Sequence, residues 1–309
     1  MENTVKGKII KGVGGLYTVR VLDEAHELCQ STVQCRAKGA FRHSGTTPLA
    51  GDDVTLLFEA DGSSVISEIG ERRNSLIRPP LANLDYIFVT MAAAQPTPIL
   101  STVDKLTAIA EHNNIEPVIV ITKADISHED ADRYAEIYRS AGFAVFVISS
   151  VTGEGVDALK AFVDTTLPSK TAAFAGASGI GKSTLMNALF PHLSLVTSEI
   201  SRKIERGRHT TREVELFALS DALDSGYLAD TPGFSMLDFE RFDFFSLEDL
   251  PCAFREFEQR IGECRYTKCS HTKEEGCAIV EAVKSGEIPR SRHESFLELY
   301  ATLKAKKKW

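Results

Sequence analysis

The sequence predicts a multidomain α/β protein: an N-terminal OB-type (oligonucleotide-binding) β-barrel over residues 1–75, a central circularly permuted P-loop domain over 76–238, and a C-terminal helical zinc-binding domain over 239–309. Three observations predict it. The first 75 residues are short apolar segments divided by turn residues, with no helical period. The stretch after Leu84 alternates strand-like and helix-like segments, the βαβ rhythm of a mostly parallel sheet. A cysteine- and histidine-rich loop then interrupts a helical C-terminal region.

At 309 residues the chain exceeds the roughly 100 to 200 of one domain. A formal net charge of −8 and a pI near 5.6 argue against a protein held to nucleic acid by bulk charge, so local basic stretches carry any RNA contact. No stretch reaches the ~20 apolar residues that span a bilayer, and Met1-Glu2-Asn3-Thr4 opens no secretory signal. Six cysteines are too few for a disulfide scaffold, and four of them cluster near the C-terminus, which suits metal binding in a reducing compartment. A cytoplasmic protein with no membrane association is expected.

In the N-terminal part, strands are expected at 7–10, 16–22, 32–36, 54–58 and 65–69, with Gly12, Gly14, Gly15, Gly51, Asp61 and Gly62 as turn residues. Five short strands suit a small barrel, with another small β-domain as the alternative. Arg36, Lys38, Arg42 and His43, near Phe41, are candidates for an RNA groove or else a solvated loop face. In the central part, strands are expected at 86–91, 118–121, 143–148, 171–175, 213–219 and 227–229. Helices begin near Ser101, at Ser127, after Gly155 and at Lys182. Ser127 reads as an N-cap followed by Glu129 and Asp130, and Gly142 as the residue that stops that helix.

The segment Gly176-Ala177-Ser178-Gly179-Ile180-Gly181-Lys182-Ser183, followed by Thr184, has the spacing of a phosphate-binding loop. Its glycines allow backbone N–H groups to turn inward around a polyphosphate. Lys182 reaches the β and γ phosphates, and Ser183 offers its hydroxyl to Mg²⁺ at the start of a helix whose dipole favours the anion. Asp230-Thr231-Pro232-Gly233, after a short apolar strand, suits an Asp that holds Mg²⁺ through water and a Gly whose N–H meets the γ-phosphate. Between them, Arg206-Gly207-Arg208-His209-Thr210-Thr211-Arg212 has the character of a switch loop. Thr211 is the first candidate for a second Mg²⁺ ligand and Thr210 the second; a flexible basic loop is the alternative.

Thr122-Lys123-Ala124-Asp125 supplies the base reader. Asp125 can accept from the N1–H and N2–H₂ edge of guanine, which adenine lacks, while Lys123 lies across the base plane. Thr122 stands where Asn is usual, so a weaker or missing contact to the base or the phosphate loop is expected there. Ser149-Ser150 fits a loop whose backbone contacts guanine O6. This base reader precedes the phosphate loop by about fifty residues, the reverse of the usual order, and the reading is a permuted domain that hydrolyses GTP. A Gln often orients the attacking water just after Asp-x-x-Gly, but here Phe234 occupies that position. His209, with an unperturbed pKa of ~6.5, is the nearest candidate for that role; a structural or RNA-contacting histidine is the alternative. Cys264, Cys269, His271 and Cys277 form C-x4-C-x-H-x5-C, four ligands for one closed, structural Zn²⁺ per chain.

On these residues the chain resembles, over essentially its full length, the ribosome small-subunit-dependent GTPase A family, also called RsgA or YjeQ. The resemblance rests on the permuted order, Gly207-Arg208-His209-Thr210-Thr211, the Cys/His spacing and the segment Arg72-Arg73-Asn74-Ser75-Leu76-Ile77-Arg78-Pro79. It implies a GTPase, acting as a monomer with Mg²⁺ and GTP or GDP, that binds the small ribosomal subunit and its rRNA near the decoding region. It also implies a role in late subunit assembly, release after hydrolysis, turnover raised by the ribosome, and His209 as the catalytic residue. An RNA-binding scaffold that uses GTP as a structural ligand is the rival reading, and an ATP-dependent RNA remodeller, opposed by Asp125, is a third.

Overall fold

The computed structural model describes residues 4–39, 41, 46–59, 62–77, 79–193, 214–230 and 246–306. They belong to two compact units, one of residues 1–86, 162–174 and 190–234, the other of residues 87–161, 175–189 and 235–309.

The first unit contains a closed five-stranded barrel of β1 (Thr4–Val13), β2 (Leu16–Val21), β3 (Thr32–Ala37), β4 (Asp53–Phe58) and β5 (Ser64–Ile69). β1 pairs with β2 and β4, β2 with β3, and β4 with β5; a parallel β3–β5 pairing closes the ring. Alternation points Val5, Ile9, Val19, Val21, Val54, Leu56 and Ile66 inward. Closure leaves the barrel no bare edge. β1 runs longer than the sequence pattern indicates. Its register shifts between Ile9 and Lys11, and Lys11 then pairs with Glu215 of a later strand, reinforced by a 2.7 Å Lys11–Glu215 ion pair.

The boundary segment folds into a short hairpin that hydrophobic periodicity does not indicate, β6 (Ser75–Leu76) with β7 (Leu81–Ala82). Arg72 grips the fully buried Asp52 with a two-pronged fork at 2.7 Å on each oxygen. Asn74 exchanges side-chain bonds with the backbone of Leu84, and Arg73 pairs with Asp85, whose carboxylate also accepts from Thr171 N at 2.8 Å.

Chain order then gives β8 (Tyr86–Ala92), α1 (Leu100–His112), β9 (Glu116–Thr122), α2 (His128–Ser140), β10 (Ala144–Val147), α3 (Val156–Thr166), β11 (Thr171–Ala175), α4 (Lys182–Leu189), β12 (Glu215–Ala218) and β13 (Tyr227–Asp230). In the first unit β11 runs parallel to β13, and β13 antiparallel to β12. In the second, the strand order is β10-β9-β8, with β9 and β10 parallel. Val118, Ile119, Val120 and Ile121 of β9 are all fully buried, as an unbroken apolar run in a parallel sheet covered on both faces requires. Ser127 caps α2 by accepting from Asp130 N, and Gly142 stops it at φ 89°, as read from the sequence.

The C-terminal residues belong to the second unit. Two 3-10 helices, Leu250–Ala253 and Arg255–Arg260, and two α-helices, α5 (Ala278–Ser285) and α6 (Arg290–Lys306), enclose a core of Leu250, Phe254, Phe257, Ile279 and Phe296 that includes Ala108 of α1. Within this apolar setting Arg292 of α6 is fully buried. It bonds Asp104 at 2.7 Å, Thr107 at 3.0 Å and Glu256 at 2.7 Å, and Tyr138 of α2 donates to Asp104 at 3.0 Å. Burial pushes the Asp104 carboxyl up, and the Arg292 charge pulls it part of the way back. Burial also works against the Arg292 charge, but Asp104 and Glu256 outweigh it and hold the guanidinium firmly ionised. Arg255 makes a second tie from the C-terminal segment, to Glu111, Glu116 and Gly142 O. Removing one partner of such a cluster strands the others without a counter-charge, so Arg292→Ala is expected to cost about 3–5 kcal/mol in urea unfolding followed by circular dichroism. A loss below about 1 kcal/mol, the value of a surface pair, would show that the cluster carries no such weight.

Candidate functional site

The phosphate loop leaves β11 at Ala175. Gly176 has φ 142°, and a Cβ placed there would lie 2.2 Å from Thr90 O and 2.7 Å from Ile180 Cδ1, so no side chain fits. Ala177, Ser178 and Gly179 are exposed and Ile180 is buried, which gives the loop an inward anchor and an open rim. α4 then begins at Lys182, with Ser183 half-buried and Thr184 exposed in its first turn. Lys182 Nζ donates to Gly176 O at 2.8 Å and Ala177 O at 2.7 Å, folding its ammonium back over the loop. Burial lowers its pKa to about 8.

The base-reading segment follows β9 directly. Thr122 is buried at its end, Lys123 takes the left-handed φ of 58°, and Asp125 is exposed. Such a φ costs energy for a residue with a side chain and commonly marks a functional turn. Thr122 Oγ1 donates to Ile180 O at 2.5 Å, with Met91 O at 3.2 Å as a second acceptor in range. Lys123 Nζ donates to Gly179 O at 2.9 Å and to Gln95 O. On the phosphate-loop side, therefore, the contact that the sequence reading expected to be weak or missing at position 122 is present, because a hydroxyl at the end of a buried strand sits close enough to reach the carbonyl.

Ser149 follows β10, whose end is tied to β9 by Ile148 N→Ile121 O at 2.8 Å and Ala124 N→Ile148 O at 3.1 Å. Its hydroxyl donates to Asp125 Oδ1 at 2.5 Å and accepts from Val151 N and Thr152 N, so it orients the carboxylate that sequence reasoning assigned to base reading. The sequence suggested only a backbone role for Ser149, and nothing in it signalled Gln95, Met91 or Thr90, which contribute backbone carbonyls alone. Ser150 is half-buried beside it. The structure thus brings Thr122, Lys123, Asp125, Ser149 and the loop 176–183 together in one unit.

In the first unit β13 ends at Asp230, one residue beyond the Ala173↔Ala229 pair on β11, the strand that runs on into the phosphate loop. The Asp230 side chain, Thr231, Pro232, Gly233 and Phe234 lie outside the described residues, as do Arg42, His43, the segment 206–212 with His209, Thr210 and Thr211, and the terminal Lys307-Lys308-Trp309.

The ligand atoms of Cys264, Cys269, His271 and Cys277 all lie within 4.8 Å of one another. Cys264 Sγ is 3.5 Å from His271 Nδ1 and 3.9 Å from Cys277 Sγ, and Cys277 Sγ is 3.6 Å from His271 Nδ1. Tetrahedral bonds of about 2.3 Å to sulfur and about 2.0–2.1 Å to nitrogen give edges of about 3.8 Å for S···S and about 3.5 Å for S···N, so the cluster fits Zn²⁺. Cys277 occupies the N-cap position of α5, where burial pushes its thiol up, and Ala278 N donates to Cys264 Sγ at 3.4 Å. In the protein alone, burial pushes the Cys269 thiol up to about 12, so ionising it calls for a cation. Glu274 ties the loop from below: its carboxylate accepts from the N–H groups of Ser270, Thr272 and Lys273. Burial opposes the Glu274 charge, but these bonds and the Ser270 hydroxyl hold it down to about 2. His293 Nε2 donates to His271 O at 2.8 Å. The other cysteines, Cys29, Cys35 and Cys252, are free and outside the cluster.

A family profile described as RsgA GTPase matches residues 69–240, and one described as RsgA N-terminal domain matches residues 6–66. A Bacillus pumilus (strain SAFR-032) protein named small ribosomal subunit biogenesis GTPase RsgA is 41% identical over 307 residues, covering 98% of each chain. Its namesake from Bacillus subtilis (strain 168) is 40% identical over 309 residues, again covering 98% of each. Among solved structures, YloQ, described as a circularly permuted GTPase, matches with a TM-score of 0.77 at 35% identity, over 98% of this chain and 96% of that one. YjeQ from Thermotoga maritima matches with a TM-score of 0.79 at 31% identity, over 97% and 98%.

The burial of Lys182 has a measurable consequence. Because the folded pKa lies below the ~10.4 of a free lysine, the penalty of burying the ammonium is complete below pH 8 and is relieved as pH rises from about 8 to ~10.4. In ¹³C NMR of the reductively methylated free protein, the Lys182 signal, assigned with Lys182→Arg, is expected to titrate near pH 8. Titration together with the surface lysines above pH 10 would contradict this environment.

Proposed function

The chain belongs to the RsgA GTPase family, and from that premise we propose that it is a GTP hydrolase that binds the small ribosomal subunit, assists its late maturation and leaves after forming GDP and phosphate. The observation that carries this reading is the junction of Thr122 and Lys123 with the Gly179 and Ile180 carbonyls, which joins a base reader and a phosphate loop that stand in reversed order along the chain.

In this reading Asp125, oriented by Ser149, accepts from the N1–H and N2–H₂ edge of guanine, and leaving it unpaired against adenine excludes ATP. Lys123 lies along the base, and the backbone of Ser149 and Ser150 borders guanine O6. The loop from Gly176 to Ser183, with Thr184, binds the phosphates through N–H groups, and Lys182 swings from the Gly176 and Ala177 carbonyls to the β and γ oxygens. Ser183, Thr211 and Asp230 would hold Mg²⁺, and the Gly233 N–H would be a donor to the γ-phosphate. The ion supplies neutralisation of charge on the phosphate oxygens. Phe234 has no side-chain group to bind water, so His209 orients the nucleophile and is the catalytic residue.

Around this core, residues 1–75 form the RNA-binding barrel, 76–238 the GTPase domain and 239–309 a domain stabilised by one structural zinc. The partners are rRNA of the small subunit and GTP or GDP; the chain acts as a monomer in the cytoplasm. No described helix is long and apolar enough to cross a membrane.

Steady-state hydrolysis measured with and without small subunits tests the proposal. Turnover is expected to rise toward the ~10³ to 10⁵-fold range reached by activators that order the switches of related enzymes. Equal rates in both conditions would instead favour an RNA-binding scaffold, and ATP hydrolysed as readily as GTP would remove the base assignment. For the zinc, elemental analysis of protein purified without chelator is expected to give one zinc per chain. Its removal is expected to unfold the 264–277 loop, since structural zinc contributes on the order of 10 kcal/mol of apparent folding free energy. Protein free of zinc, with a loop as protected from hydrogen exchange as before chelation, would count against the site.

A further inference from the structure

We propose that the outer face of the N-terminal barrel carries a pocket for one nucleotide of single-stranded RNA, with Lys6 and Lys38 holding its phosphate and Glu68 its ribose 2′-hydroxyl. The inference rests on the RNA-binding reading of residues 1–75 and deepens it by naming the face and the groups that are read.

A cavity of about 350 Å³ lies where β1, β4 and β5 meet, bordered by Lys38 just beyond β3. That volume is at the small end for ligand pockets and suits a single nucleotide. Barrels of this type take oligonucleotides mainly on the face of their second and third strands, so this cavity is a separate place. The strand pairing is irregular here. Thr55 of β4 faces Glu68 of β5, but the next residue, Leu56, faces Ile66, which leaves Ser67 over as a β-bulge. Bulges bend a strand and re-aim its side chains, and they are frequent beside functional sites. The Ser67 hydroxyl turns back to donate to Thr55 O at 3.0 Å.

At the floor of the cavity Thr55 is 7% exposed. Its hydroxyl accepts from Lys6 Nζ at 2.9 Å and donates to Glu68 Oε2 at 3.3 Å, so the ammonium and the carboxylate meet through it. An ammonium carries three protons, and Lys6 commits one of them to Thr55. Among the described residues, Lys38 Nζ and Glu68 Oε1 have no bonding partner. The cavity therefore offers two cations with spare donors and one carboxylate oxygen with spare lone pairs. A bare anion would be repelled by Glu68, and a neutral sugar would leave both ammonium groups unused. A ribose phosphate uses all three, because its phosphate accepts from the lysines while its 2′-hydroxyl donates to Glu68. Leu57, half-buried at the rim, adds apolar surface for the sugar. DNA lacks that hydroxyl. In a chain of net charge −8, affinity for RNA has to come from local cations such as these.

The test is fluorescence anisotropy of the full chain with labelled oligouridylate and oligodeoxyuridylate of about ten nucleotides, which differ only in the 2′-hydroxyl, at two salt concentrations. The parent is expected to prefer the RNA by about threefold to tenfold, the value of one hydrogen bond. Lys38 makes no bond within the described protein, so its loss leaves the barrel intact. Lys38→Ala is expected to weaken RNA binding by about threefold to tenfold and to lower the slope of log affinity against log salt by about 0.7, as for one phosphate contact on a single strand. Glu68→Gln is expected to bring the two affinities together, because a neutral amide is the weaker acceptor. Lys284→Ala removes the same charge on α5, outside the cavity, and is expected to stay within about twofold of the parent. A loss in Lys38→Ala no larger than in Lys284→Ala overturns the proposal, as does a full RNA preference in Glu68→Gln or equal binding of both oligomers by the parent. Uridine monophosphate that displaces the RNA as readily as unlabelled oligouridylate does would assign the cavity to a free nucleotide and overturn the RNA assignment. Failure of the underlying reading looks different. A parent that binds the small subunit but not oligouridylate loses only this site, whereas one that binds neither loses the RNA reading as well.

Discussion

Two successive carbonyls of the phosphate loop are held by the first two residues of the base-reading segment, and the rest of the site takes its geometry from that junction. The donor and acceptor residues of the shorter bond, Thr122 and Ile180, are 58 positions apart, with α2, β10, α3 and β11 between them along the chain. A hydrogen bond contributes only ~1 kcal/mol net to stability, but breaking a buried one strands a carbonyl at greater cost. The junction is therefore of modest net value and expensive to lose. Reversing the order of its two halves along the chain leaves it intact, because hydrogen bonds depend on spatial position alone; what the permutation changes is which segments are attached to the new ends.

One of those attachments is the C-terminal segment, and buried charge fixes it in place. Arg292 and Arg255 both reach into the α1–β9–α2 layer, to Asp104, Glu111, Glu116 and Gly142 O. A buried arginine beside two carboxylates adds little net stability over an apolar filling, but it tolerates few alternative arrangements, because any slide of α6 against α1 would strand a charge. Residues 246–306 consequently share a compact unit with the base-reading half of the sheet. These contacts tie the segment to α1, and α1 follows the Gln95 loop whose carbonyl accepts from Lys123.

Much of this was legible in the sequence, for identifiable reasons. The barrel strands and the run at 118–121 were readable because alternation and continuous apolarity report how many faces of a strand are covered. Ser127 and Gly142 were readable because capping depends on local chemistry, and the spacing of Cys264, Cys269, His271 and Cys277 because one metal must be met by nearby residues. The illegible features depend on distance along the chain. The β6–β7 hairpin is too short for any period to show. Arg292, within Arg290-Ser291-Arg292-His293-Glu294, looks like one surface charge among several, and only the fold shows that it is buried. At Thr122 the missing amide was visible, but the proximity of Ile180 O was not.

Arg292 and His293 are neighbours on α6 and face different tasks. One bonds Asp104 of α1; the other donates to the carbonyl of His271, a member of the cysteine–histidine cluster. A single turn of helix therefore joins the cluster to the base-reading half of the sheet through two buried polar contacts, with no loop between them to absorb a displacement. His271 itself sits at φ 57°, a strained conformation for a residue with a side chain, and is held there in part by the bond from His293. Rigid helices transmit strain when both ends are pinned by groups too costly to leave unpaired. α6 thus carries two adjacent buried polar ties, one to α1 and one to the cysteine–histidine cluster.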